Sequence, residues 1–135
     1  MKAIADTGFL VAFANARDNH HDWALSVAAQ VTEPLLTCEA VLAEAAFHLA
    51  STALVLEMVD AGLVRLAFNC ADQLPHLGKL AARYGDRKPD LADLCLIRMS
   101  ELYPNHSVIT VDASDFRVYR RNKREVIPLI CPPAR

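Results

Sequence analysis

The chain lacks most of the features that mark specialised protein classes. It holds only four glycines in 135 residues, with no repeat, linker or low-complexity tract. That excludes collagen-like and disordered chains. Neither sign of charge prevails: the formal net charge is −2. No basic field advertises nucleic-acid binding, so contact with a polyanion needs a local patch or a metal. The cysteines Cys38, Cys70, Cys95 and Cys131 are far apart and form no C-x-x-C pair. They read as reduced core thiols of a cytosolic protein. No apolar run approaches the ~20 residues that span a bilayer. The longest candidate, Ala40 to Val59, carries Glu44, His48 and Glu57. The opening MKAIADTGFLVAFANARD is too short and too early-charged for a signal peptide. A cytoplasmic protein without membrane contact is expected.

What is present suits a real core: 53% of the residues are apolar. Lys2 to Ala5 reads as a buried strand ending at Asp6, and Phe9 to Ala14 as a short helix or turn. His20-His21-Asp22 opens a helix to about Val31, with Trp23, Val27 and Val31 on its buried face. Adjacent helical residues diverge, so the His pair reads as surface or capping residues rather than a chelate. Leu35-Leu36-Thr37 is a short strand, and Glu39 to His48 a helix with Glu44 in its middle. Ala53 to Ala61 is a further helix closed by Gly62. Leu63 to Phe68 is a strand, and Gln73 to Tyr84 an amphipathic helix with Leu77, Leu80 and Ala81 inward. Asp90 to about Tyr103 is apolar nearly all round, as a central helix should be. Ser107 to Val111 is β-branched and strand-like, Val126 to Ile130 a last strand, and Cys131 to Arg135 a Pro-rich tail. Strands alternate with helices, which predicts one α/β domain over residues 1–135, a sandwich with a mainly parallel sheet.

Carboxylates recur at suggestive places. Asp6 and Asp112 follow strands, and in open α/β sheets ligands gather beyond the carboxyl ends of strands. Asp6 also suits a helix N-cap. Asp93 lies in a first helical turn among Leu91, Leu94, Leu96 and Ile97, where an ionised carboxylate is costly unless paired or metal-bound. Asp90 is the natural cap of that helix. Glu44 sits in an apolar helix, either on a wet face beside His48 or at a site. Pooled carboxylates raise one another's pKa values and call for a cation. An all-oxygen donor set suits Mg²⁺ or Mn²⁺, ions that support phosphodiester chemistry.

These segments together resemble PIN-domain proteins of the VapC toxin type. The carriers are Asp6-Thr7-Gly8-Phe9-Leu10, Val41-Leu42-Ala43-Glu44, Asp90-Leu91-Ala92-Asp93-Leu94-Cys95-Leu96, and Thr110-Val111-Asp112-Ala113-Ser114-Asp115-Phe116 with the Tyr119-Arg120 that follows. The resemblance implies a PIN-like three-layer sandwich with a central parallel sheet. It implies a Mg²⁺- or Mn²⁺-dependent endoribonuclease, the toxin of a type II toxin–antitoxin pair, in which activated water leaves a 5′-phosphate and a 3′-hydroxyl. By position, Asp6, Glu44, Asp93 and Asp112 make the acidic pocket, with Asp6 and Asp93 as direct metal ligands. Asp115 and Asp90 are auxiliary, and Thr7 and Thr110 orient carboxylates. Arg117, Arg120, Arg121, Lys123 and Arg124 either hold the RNA backbone or are solvated surface charge. An antitoxin protein and a second copy of the chain are the implied partners, with Trp23 and Phe47 serving an interface or the core. The alternative is a catalytically inactive PIN-like module that binds RNA or protein. A phosphohydrolase with a nucleophilic Asp lacks its D-x-D context after Asp6. Two departures stand out: Gly8 replaces a small hydroxyl residue, and the region Ala50 to Leu56 reads as shorter than the family's helix pair.

Overall fold

Very short aliphatic strands build the centre of the molecule, in a computed structural model that describes residues 1–133. Strands β1 (Ala3–Ala5), β2 (Leu35–Thr37), β3 (Val64–Leu66), β4 (Ser107–Ile109) and β7 (Leu129–Ile130) form a parallel sheet in the order β3-β2-β1-β4-β7. Every residue of β1 and β2 is buried, as expected when helices cover both faces of a sheet. Because the strands run the same way, their carboxyl ends share one edge. The register pairs Ala5 with Ile109, so the chain leaves β1 beside the point where it leaves β4. The Asp6 amide donates to the Ile109 carbonyl at 3.0 Å.

Seven helices are described: α1 (Thr7–Ala14), α2 (His21–Ala28), α3 (Glu39–Leu49), α4 (Thr52–Asp60), α5 (Leu74–Arg83), α6 (Leu91–Leu102) and α7 (Ala113–Val118). Local chemistry sets their ends. Ser51 accepts from the Leu54 amide to cap α4, and Asp90 accepts from the Asp93 amide at 2.8 Å to cap α6. Gly62 takes φ +83° after α4, a conformation that favours glycine. Helix α6 buries Ala92, Leu94, Cys95, Leu96, Ile97, Met99 and Ser100 and so forms the central rod of one layer. The α/β fold with its parallel sheet matches the sequence expectation. All four cysteines are free thiols, with Cys38 and Cys95 buried.

Several local expectations differ. Helix α2 stops at Ala28, where a turn carries the chain through Val31. Ala81 is exposed, and Tyr84 takes the inward place one turn beyond Leu80. The expected last strand is split: β5 (Arg120–Arg121) and β6 (Glu125–Val126) form a separate antiparallel hairpin, and β7 begins after Pro128. Proline lacks the amide that a continuous ladder requires. The region around Ala50 to Leu56 joins two helices. Helices α3 and α4 form a pair joined only by Ala50, in the left-handed region at φ 52°, and Ser51. Phe47 is 81% exposed and is no core residue, whereas Trp23 meets Phe9 edge-on, centroids 6.1 Å apart. Ala134 and Arg135 of the Pro-rich tail lie outside the described residues. No helix among the described residues is long and apolar enough to cross a membrane.

Candidate active site

The shared carboxyl edge of β1 and β4 opens into a cleft of about 480 Å³. Its lining includes Asp6, Glu44, Asp90, Asp93 and Asp112, with Thr7, Gly8 and Val111 between them and Asp18, His20 and His48 at its margins. Asp6 comes from the end of β1, Glu44 from α3, Asp93 from the first turn of α6 and Asp112 from the stretch after β4. Segments far apart in sequence therefore converge on one acidic wall.

Each of these acids receives a hydroxyl. Thr110 Oγ1 donates to Asp6 Oδ2 at 2.7 Å, and Thr7 Oγ1 donates to Glu44 Oε1 at 2.9 Å. Ser114 Oγ donates to Asp112 Oδ1 at 2.9 Å, and Tyr119 Oη donates to Asp93 Oδ2 at 3.2 Å. The Thr7 amide adds a bond to Asp6 Oδ1 at 2.6 Å. Asp6 thus caps α1 and faces the cleft at once, so the two alternatives for it are not exclusive. Thr110 is wholly buried behind Asp6 and also accepts the Asp112 amide at 3.0 Å, which couples the two strand-end acids.

Burial and like charge oppose ionisation here. Burial raises the Asp6 carboxyl above its ordinary range, with Asp90 and Asp112 adding repulsion against the Thr110 and Thr7 hydrogen bonds. Burial, then Asp90 and Asp6, push Asp93 up to about 7. Glu44 is raised by burial first, with Asp90 and Asp6 contributing. Burial and the neighbouring Asp93 charge raise the Tyr119 phenol, so it remains a donor at any physiological pH. Asp115 lies outside the cleft lining. Arg87 Nη2 meets it at 3.4 Å, and the Asp112 carboxylate beside it raises its pKa.

The donor set is all oxygen, which fits Mg²⁺ or Mn²⁺. Among the described residues no group of three Asp, Glu, His or Cys side chains is arranged to hold a metal ion as it stands. Mg²⁺ usually takes only one or two carboxylates and keeps several waters. Mutually repelling acids around one cleft are what such an ion would relieve.

The basic segment divides. Arg121 is 6% exposed, and its guanidinium donates to the Ser100 and Pro104 carbonyls at 3.1 Å each and to Glu125 at 2.9 Å. These bonds tie Arg121 into the fold, although its buried Nε has no partner. Arg120 turns its guanidinium back onto the Arg117, Val118 and Tyr119 carbonyls. Arg117, Lys123 and Arg124 are exposed.

Gly8 also has a structural reason. A Cβ built on it would lie 2.3 Å from Val111 Cγ2. Val111 occupies the space that a hydroxyl side chain would need. Sequence reasoning did not assign roles to Tyr119, Ser114 or Arg87. Ser114 sits two residues from its acid and could have been found as a local Asp–Ser pair. Tyr119 is 26 residues from Asp93, and no local pattern announces the contact.

The family model described as PIN domain matches residues 3–122. No curated protein matches the chain.

Proposed function

Given that the chain belongs to the PIN-domain family, whose members are typically Mg²⁺- or Mn²⁺-dependent nucleases, we propose that it is an endoribonuclease and the toxin of a type II toxin–antitoxin pair. One observation carries the catalytic part: Asp6, Glu44, Asp93 and Asp112 line a single cleft, and each carboxylate is held by a hydroxyl. Pooled and oriented carboxylates, with Asp6 buried and Glu44 and Asp93 half-buried, have a clear use in holding a cation.

Asp6 and Asp93 would hold the ion, with Glu44 and Asp112 completing its shell through water. Asp90 serves mainly as the α6 cap and Asp115 mainly as the partner of Arg87. When bound, the ion supplies charge neutralisation and water activation for attack on a phosphodiester. Thr110, Thr7, Ser114 and Tyr119 keep the carboxylates in place while the ion is absent. Arg117, Lys123 and Arg124 are the members of the basic segment free to meet an RNA backbone; Arg121 is committed to the fold. The domain is read as the whole of residues 1–135.

The partner part rests on the α3–α4 pair. An apolar groove of about 720 Å³ lined by Leu42, Ala46, Phe47, Val55 and Leu56 leaves large aliphatic and aromatic surface in water. Such a patch is what a protein interface requires. An antitoxin segment or a second copy is the expected occupant.

The deciding experiment is Mn²⁺-dependent cleavage of total cellular RNA by wild type and Asp6→Ala. Wild type should cleave and the variant should not, with both folded by circular dichroism. Cleavage that persists without divalent ion, or in the variant, overturns the catalytic reading. Mn²⁺ binding should also release protons near pH 6.5, visible by calorimetry in buffers of different ionisation enthalpy, because Asp93 holds a proton up to about pH 7.

A further inference from the structure

Among the acid–hydroxyl pairs of the cleft, Asp93 draws its donor from a ring packed in the core. Tyr119 is 2% exposed. Its ring sits edge-on to Tyr84 and Phe116, with centroids 5.1 Å and 5.5 Å away. Tyr84 is itself fixed, its hydroxyl accepting from the Arg120 amide at 2.8 Å. Flipping the Tyr119 ring about its own axis would not move the hydroxyl. Its oxygen is held against Asp93 Oδ2 by packing, at 3.2 Å.

Asp6 is restricted in a similar way. Its Oδ1 takes the Thr7 amide and its Oδ2 takes Thr110. Neither carboxylate offers an unencumbered pair of oxygens. This matters because divalent ions differ in what they ask of a carboxylate. Mg²⁺ is small, demands near-octahedral geometry and keeps its waters, whereas Ca²⁺ takes six to eight oxygens and often a bidentate carboxylate.

Resting on the metal-centre reading above, we propose that Tyr119 is a positioning residue that occupies one oxygen of Asp93, leaves the other for the ion, and so selects Mg²⁺ or Mn²⁺ over Ca²⁺. It touches neither substrate nor ion. It acts through Asp93, as partners of metal ligands commonly do, and removing such partners typically weakens metal affinity about 10–100-fold.

The test compares wild type, Tyr119→Phe and Tyr84→Phe as full chains. Each is titrated with Mn²⁺, Mg²⁺ and Ca²⁺ by calorimetry, and each has its melting temperature measured. Tyr119→Phe keeps the ring and its packing. It should weaken Mn²⁺ binding about 10-fold or more and reduce the preference for Mn²⁺ over Ca²⁺. Tyr84→Phe breaks the neighbouring hydrogen bond and should lower the melting temperature while leaving both metal readings alone. Two results overturn the proposal: Tyr119→Phe with wild-type affinity and preference, or Tyr84→Phe with the same metal defect, which would mean general loosening. Wild type that binds no divalent ion defeats this inference together with the metal-centre reading. Wild type that binds, beside a silent Tyr119→Phe, defeats this inference alone.

Discussion

One helix separates two contrasting regions. Glu44 and His48 of α3 face the acidic cleft, while Leu42, Ala46 and Phe47 of the same helix line the α3–α4 groove. In the cleft each of these acids has at least one oxygen held from within: hydroxyls on Asp6, Glu44, Asp93 and Asp112, and amides on Asp6 and Asp90. In the groove Leu42 and Val55 form a buried floor, while two large side chains are left in water, Phe47 at 81% and Leu56 at 59% exposure. The difference follows from the kind of force each region uses. A carboxylate in a low-dielectric cleft needs directional partners before its cation arrives, or the fold would expel it. An apolar face needs no preparation, because burial is non-directional and any complementary surface supplies it. The cleft is therefore read as a site complete apart from its ion, and the groove as a surface that awaits another chain.

The contrast can be broken most decisively through activity. Asp6→Ala should lower Mn²⁺-dependent RNA cleavage by at least ~10²–10³-fold. Phe47→Asp should leave turnover within about two-fold, as an exposed change remote from the acids should. Single-turnover assays on the two proteins check this, and equal losses would mean that the two faces of α3 are not separate.

The next effect concerns the rigidity of the cleft wall. Gly8→Ala pushes a methyl into Val111, whose branched side chain has little rotamer freedom. It should cost about 1–3 kcal/mol in a urea unfolding series. A loss below ~0.5 kcal/mol would show that the wall yields as easily as the groove.

Asp93→Asn probes the charge held without its ion. The Asp93 pKa near 7 lies above the ordinary value of 3.8, so the native protein binds an extra proton between them. The stability of the metal-free protein should therefore fall as pH rises from about 4 through 7. The variant removes that penalty. It should melt about 2–5 °C above wild type at pH 8, with partial exposure of Asp93 keeping the gain modest. At pH 4 the two should converge. Scanning calorimetry in chelator-treated buffer checks this, and a variant less stable at pH 8 would contradict a strained carboxylate.

The smallest expected effect on stability belongs to the groove. Phe47→Asp should change the melting temperature by no more than about 1–2 °C, because the ring is already in water. It should reduce self-association seen by light scattering. An unchanged association state would remove Phe47 from the proposed interface.

Much of this was legible in the residues, and the limits of legibility have physical causes. The strands Lys2 to Ala5 and Ser107 to Val111 were readable because burial and β-branching are local signals. The cap at Asp90 and the turn at Gly62 were readable because each depends on its immediate neighbours. The acids stood out as charges among apolar residues. Their convergence could be inferred only through resemblance, because strand order is not written in any local period.

What the sequence determined by itself, then, is the alternation of elements, some of their ends and the inventory of carboxylates. Tertiary structure alone decided which hydroxyl meets which acid. Thr110 reaches Asp6 across 104 residues, and Tyr119 reaches Asp93 across 26. It also decided that Arg121 points inward and Phe47 outward, against what a basic run and an apolar helix suggest on their own. The reason is common to all these cases. Burial and long-range hydrogen bonding are set by how the sheet orders its strands and how α6 and α7 close over it, and each side chain takes its role from neighbours that the chain supplies only once folded.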